Sequence, residues 1–266
     1  MTGRSLHDTL LRVLSHGPLR AKLFDPPDEA STVHSDEWDI LRRAPREQLH
    51  NMARFLTRHY YTERVVRLFR HVRRLTPRTG RDPLQVLDTP QAHAVYDRAE
   101  LGSAQTAEDI LALIQGFLLH GDTEIQAAFP YWRDLVRYHA TLFRLEAVRA
   151  ENNPTRFPCR SASAAIVRFE WNLPVILTQM PPVPPVDLAI AQVPSVLLMA
   201  SSRDRRVISL RCTPAIQCLF EAADGTRTVE ELRIVSGFSV EQIAQALEQL
   251  REIGAIQWQG GITTRS

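Results

Sequence analysis

At 266 residues, 44% of them hydrophobic and with a formal net charge of only +2, the chain can bury a substantial core and divide into two domains. No apolar run approaches the roughly 18 residues of a membrane span, and Arg4, His7 and Asp8 ahead of a short amphipathic run do not make a signal-peptide layout, so a cytoplasmic protein without a membrane partner is expected. Cys159, Cys212 and Cys218 have no short paired spacing, which argues against a disulfide framework or a zinc knuckle.

The first half predicts helices throughout. Leu6, Leu10, Leu11 and Leu14 open with helical spacing, and Glu47 to Thr57 and Tyr61 to Leu75 follow as two further helices. Ala107 to Leu119 and Tyr131 to Val148 again carry apolar residues three and four apart. Pro77, Pro83 and Pro90 with Gly80 punctuate the middle, and Asn152-Asn153-Pro154 reads as a hinge. Residues 1–153 are therefore expected to form one helical bundle.

Within it lies the densest charge: Arg54, Arg58, Arg64, Arg67, Arg70, Arg73, Arg74, Arg78 and Arg81, interleaved with His59, Tyr60, Tyr61, Phe69 and His71. On a helix Arg67, Arg70 and Arg74 share one face. Three readings stand: a solvated face paired to scattered carboxylates, a docking surface for an acidic partner built from Arg64, Arg67, Arg70 and Arg74, or a track for a nucleic-acid backbone.

After the hinge, Val167, Phe169 and Trp171 alternate with Arg168 and Glu170, which predicts a strand over Ala165 to Trp171. Six prolines interrupt the apolar stretch from Pro174 to Pro194. That density suits an ordered, extended segment lying on a surface and not a central strand. Ser195 to Ala200 and Arg206 to Cys212, joined by Ser201-Ser202-Arg203-Asp204, read as a β-hairpin with Ile208 and Leu210 facing inward and Val207, Ser209 and Arg211 outward.

Three capped helices follow. Thr213 before Pro214 is an N-cap with proline at the first helical position, Thr228 with Glu231 and Ser239 with Gln242 are capping boxes, and Gly237 and Gly254 are stops. A closing strand is expected at Ala255 to Gln259. The apolar stripe of the last helix is Val240, Ile243, Ala244, Leu247 and Leu250, and its outer face carries Glu241, Gln245, Glu248 and Glu252. Such an acidic face would repel phosphate, which weighs against DNA reading. One edge of the stripe, Ala246 and Ile253 bordered by Gln242 and Gln249, suits an apolar peptide side chain or packing on a neighbouring domain.

Catalytic constellations are weak. The nine histidines are dispersed without a His-Glu-x-x-His or His-x-x-x-His pair, and no phosphate-cradling glycine loop or Gly-x-Ser-x-Gly is present. Cys159, after Arg156-Phe157-Pro158, has no local histidine to activate it and reads as a structural thiol.

The order β-β-β-α-α-α over about Ala164 to Gln259, the Asp224-Gly225-Thr226-Arg227-Thr228 turn and the spacing of Leu219, Leu232, Ile243, Leu247 and Leu250 resemble the PqqD-like winged-helix fold, the recognition element for precursors of ribosomally made, modified peptides. The proline-rich insertion departs from that compact pattern. The resemblance implies an α+β chain, with a helical bundle over 1–153 and a winged helix over 154–266. It implies that a leader peptide adds as a strand beside Val207, Ile208, Ser209, Leu210 and Arg211, with side chains against Gln242, Ala246, Gln249 and Ile253. Phe55 to Arg70 and the Pro77-Arg78-Thr79-Gly80 turn are similar to non-catalytic partner subunits of multinuclear non-heme iron oxidative enzymes. That second resemblance implies no cofactor in this chain, iron in a separate TIM-barrel subunit, and a precursor or carrier peptide whose cysteine is modified, as in 3-thiaglutamate biosynthesis. A winged-helix regulator of transcription is the alternative.

Overall fold

The computed structural model describes residues 2–24, 36–148, 155–180, 188–202, 204 and 206–259. The chain is mixed α+β, mainly helical with small antiparallel sheets, and divides into two compact units, Met1–Asp122 and Thr123–Ser266.

The first unit contains α1 (Thr2–Ser15), α2 (Gly17–Phe24), α3 (Asp36–Arg42), α4 (Arg46–Leu68), α5 (Arg70–Arg74), α6 (Thr76–Thr79), a 3-10 turn (Pro83–Asp88), α7 (Pro90–Arg98) and α8 (Ala104–Leu119). Where two helices were expected, α4 runs unbroken, since no proline or glycine stands between Thr57 and Tyr61 to interrupt it. It is the spine of the unit: Leu49, Ala53, Thr57, Tyr61 and Val65 recur at the helical repeat and are buried, and the helix packs on α1, α7 and the 3-10 turn. Thr89 and Ser103 cap α7 and α8 by accepting from the N–H groups of Ala92 and Thr106. Gly80, at φ 67°, stops α6 in the left-handed region.

His71, only 5% exposed, is a buried base in this unit. Desolvation, reinforced by the Arg70 and Arg74 charges, pushes its imidazole down from 6.5 to about 4. Between those values the unfolded chain binds the proton and the folded chain does not. Stability is therefore full above pH 6.5 and falls as the pH drops through that window, by about 3 kcal/mol at its lower end. Urea unfolding midpoints taken on both sides of the window check this, and His71→Leu should flatten the acid-side loss relative to wild type.

The second unit contains α9 (Thr123–Ala128), α10 (Trp132–Ala147), β1 (Cys159–Arg160), β2 (Ala164–Phe169), α11 (Leu173–Gln179), α12 (Leu188–Ala191), β3 (Ser195–Ser201), β4 (Val207–Arg211), α13 (Pro214–Ala222), α14 (Val229–Ser236), α15 (Val240–Glu252) and β5 (Ile256–Gln257). β2, β3 and β4 form an antiparallel sheet in that order, with Ala165, Met199 and Ser209 in register, and the closing strand β5 pairs with β1. Residues opposite one another share a face. Ala164, Ile166, Leu198 and Ala200 thus join the core built from Leu219, Phe220, Leu232, Ile243, Leu247 and Leu250 of α13–α15.

The other face of the sheet is covered by α10, which packs on all three strands. Its Leu135, Val136, Ala140 and Phe143 are buried, and Tyr138 meets Phe169 edge to face. α10 was expected to complete the N-terminal bundle with a boundary at 153, yet the division falls after Asp122. The physical reason is that a three-stranded sheet with Val167, Phe169, Leu197 and Met199 on its second face needs a second layer, and the amphipathic α10 supplies it. The expected hinge Asn152-Asn153-Pro154 lies outside the described residues.

The proline-rich segment also differs from expectation where it is described. Pro174 stands in the first turn of α11, where a missing N–H costs nothing, and Leu173, Ile176 and Ala191 are buried. Backbone N–H groups close the excursion: Asn172 donates to the Ala191 carbonyl at 2.8 Å and Leu173 to Ser195 Oγ at 3.3 Å. Asp134 of α10, buried so that its carboxyl is pushed up, accepts from the Trp171 N–H at 2.9 Å. Where it is described, the segment is thus helical at Leu173–Gln179 and Leu188–Ala191, and its two ends are tied together at the Phe169–Ser195 end of the strand pair. Pro181, Pro182, Pro184 and Pro185, and Arg203 of the hairpin loop, lie outside the described residues.

The C-terminal caps follow the sequence residue for residue. Thr213 accepts from the Ile216 N–H, and both capping boxes, Thr228 with Glu231 and Ser239 with Gln242, close in both directions. Gly237 and Gly254 are left-handed at φ 71° and 78°. At Gly254 a Cβ would come within 2.6 Å of the Ser201 carbonyl oxygen, so the end of α15 sits against the end of β3 only because this residue has no side chain.

Candidate functional site

The feature of the second unit that a ligand can use is the outer edge of β4. At the two ends of the hairpin the Ser202 N–H donates to Arg206 and the Cys212 N–H to Val196. With Ala200 opposite Ile208 and Leu198 opposite Leu210, antiparallel alternation directs the N–H and C=O of Ile208 and Leu210 toward β3, and those of Val207, Ser209 and Arg211 away from it. Among the described residues nothing pairs with that outer row.

The side chains of β4 differ from the expected inward and outward faces. Ile208 and Leu210 do turn toward the α13–α15 side, but Leu210 is 43% exposed because an edge strand overhangs the core. The opposite face is not open: Ser209 Oγ lies 3.4 Å from Tyr138 Oη of α10. Arg211 is exposed, and Val207 and Ile208 are half-buried. The edge thus offers backbone groups in its plane and an apolar shelf of Ile208 and Leu210 on one side.

On α15 the candidates separate. Ala246 is 6% exposed and belongs to the core, so it is no pocket floor. Gln242 is exposed, and its Oε1 accepts from the Ser239 N–H in the capping box, which holds the side chain at the start of α15. Gln249 is exposed and Ile253 half-buried against the core. The outer carboxylates are partly neutralised, Glu248 pairing with Arg251 at 2.6 Å. Sequence reasoning missed the exposure of Ile234, Val235 and Val240, at 66%, 52% and 60%, and the helical stripe of α15 had assigned Val240 to the core.

The arginine candidates of the first unit separate in the same way. Arg64 is 5% exposed, with its guanidinium over the Tyr60 and Tyr61 rings at 5.5 and 5.7 Å. It lies on the buried face of α4 beside Tyr61 and Val65 and is unavailable to a partner, which corrects its assignment. Arg67, Arg70 and Arg74 are exposed. Arg54 and Arg58 form bidentate pairs with Asp97 and Asp88, hydrogen bonds that hold both carboxyls below the usual carboxylate range.

All three cysteines are free, and burial pushes the Cys212 thiol up, toward the unreactive form. Among the described residues no three His, Cys, Asp or Glu side chains are grouped to hold a metal ion, and no helix is long and apolar enough to cross a membrane. Comparison with protein-family models and with curated proteins finds no match to this chain.

Proposed function

We propose that this chain is a peptide-binding partner subunit with a PqqD-like winged helix formed by β2–β4 and α13–α15, and that it presents a cysteine of a ribosomally made precursor or carrier peptide to a separate iron-dependent oxidative enzyme. The observation that carries this reading is the open row of Val207, Ser209 and Arg211 backbone groups on β4. A leader segment added there as a fourth strand would gain main-chain hydrogen bonds and lay alternate side chains on the Ile208 and Leu210 shelf. The iron belongs to the TIM-barrel partner, and this chain has no catalysis of its own. Its contribution is positional: binding energy far from the reacting bond holds the cysteine near the metals, the entropic part of catalysis. Excision of the cysteine β-methylene carbon, as in 3-thiaglutamate biosynthesis, is the outcome we assign to the complex.

Fluorescence titration of the purified chain with candidate leader peptides tests the reading. Saturable binding supports it. Absence of binding, both alone and with the iron subunit, removes it, and a salt-sensitive gel shift with duplex DNA would favour a transcription regulator in its place.

A further inference from the structure

The end of α4 and the whole of α5 hold a second feature, which the strand-addition reading does not use. Val66, Arg70, Arg73 and Arg74 line a surface depression of about 330 Å³. Val66 is 42% exposed, and although Phe69 leaves helical dihedrals at φ −101° and ψ 23°, its N–H donates to the Val65 carbonyl and its carbonyl accepts from the Arg73 N–H, so hydrogen bonding carries across the junction of α4 and α5. Val66, Arg70, Arg73 and Arg74 thus face one depression across that junction.

Two of these guanidinium groups are held from behind. Arg70 Nε donates to His71 Nε2 at 3.1 Å, and Arg73 Nε lies 3.4 Å from the Asp82 carboxylate. His71 can accept because burial keeps it neutral at ordinary pH. Among the described residues the Nη groups of Arg70 and Arg73 have no hydrogen-bond partner. Arg70, hydrogen-bonded through Nε and unpaired at Nη, is preorganised for a carboxylate or phosphate oxygen, with little rotamer entropy left to lose, while Arg73 is held by its ion pair to Asp82 without a hydrogen bond at Nε.

We propose that this depression binds a carboxylate-bearing peptide segment, with Arg70 and Arg73 taking its acidic side chains, Arg74 adding charge, and Val66 receiving an apolar neighbour. An acidic peptide is favoured over nucleic acid because, among the described residues, no aromatic side chain lines the depression for a base to stack on, and because the chain's net charge of only +2 supplies no long phosphate track. The site is on the first unit and is independent of β4, so it can stand or fall without the strand-addition reading.

Fluorescein-labelled hexaglutamate and a labelled six-nucleotide oligothymidylate are titrated by anisotropy into the full chain at low salt, with wild type, Arg70→Gln, Arg74→Gln and the doubly substituted chain. The expected result is hexaglutamate binding that weakens about tenfold in Arg70→Gln and further in the double variant, with circular dichroism unchanged, since losing a charge-assisted pair costs about that factor. Arg74→Lys, which keeps the charge, should retain more affinity than Arg74→Gln. Absence of hexaglutamate binding, an affinity indifferent to Arg70, or tighter binding of the oligothymidylate overturns the proposal.

Discussion

Ser209→Pro is expected to abolish leader binding while leaving the fold intact, whereas Ile208→Pro, one residue away, is expected to unfold the second unit. The contrast rests on the parity of the ladder. The Ser209 N–H points away from β3, so proline there removes no internal hydrogen bond, and edge strands tolerate proline in that orientation. An incoming strand would lose its central donor and meet the pyrrolidine ring. The missing bond alone is worth about 1–3 kcal/mol when its partner is left buried and unsatisfied, or about one to two orders of magnitude in affinity. The Ile208 N–H faces Ala200, and proline there breaks the hairpin at a cost of about 3 kcal/mol or more. Ser209→Ala is the control: it loses only the long contact to Tyr138 and should bind the leader nearly as wild type does. Peptide titrations with thermal melts of all three variants check the set. Equal leader binding by Ser209→Pro and wild type would place the peptide elsewhere.

The parts of this structure legible in the sequence are those decided by chemistry within four residues. Thr213, Thr228 and Ser239 cap their helices because a side-chain oxygen and a free backbone N–H are brought together by any helix starting there. The hairpin of β3 and β4 was equally close to hand, but its register was not: Ser201, expected in a four-residue loop, is the last residue of β3 and pairs with Val207. What the sequence hid depends on distant neighbours. The apolar face of α10 shows that the helix packs on something, not that it packs on a sheet. Arg64 looks like its exposed neighbours Arg67 and Arg70, and only the position of the α4 core face buries it. Gln242 was legible as a cap, and its Oε1 does accept from the Ser239 N–H. The β4 edge lies between these cases: its existence is local, but its openness depends on where every other strand pairs.

The largest stability effect is expected at Arg20, a residue whose charge gives no hint of its place. It is 1% exposed, and burial lowers its pKa despite the nearby Asp97. Its Nη1 donates to the Val13 and Leu14 carbonyls at 3.4 and 3.0 Å, and its Nη2 to those of Tyr96 and Asp97 at 3.2 and 2.7 Å. These carbonyls lie in the last turns of α1 and α7, where the helix dipoles place negative charge and, among the described residues, only that of Tyr96 also accepts from a backbone N–H, that of Ala99 at 3.3 Å. One planar fork thus caps two helix ends and joins them. The joint is tight: the Gly17 N–H donates to the Ala99 carbonyl at 2.7 Å, and a Cβ on Gly17 would lie 2.5 Å from the Arg98 carbonyl carbon. Arg20→Met keeps most of the volume but leaves the Val13, Leu14 and Asp97 carbonyls without this donor and Tyr96 with the Ala99 N–H alone, and should cost about 3–5 kcal/mol, the usual penalty for breaking a buried charged network from one side. Arg20→Lys, with a single nitrogen that cannot span both helix ends, should recover only part of that loss. Urea unfolding of the full chain measures both. An Arg20→Met midpoint equal to that of wild type would mean that water or a shifted backbone satisfies these carbonyls equally well, and that backbone contacts such as Gly17 to Ala99 and Leu101 to Ser15 suffice to join this region.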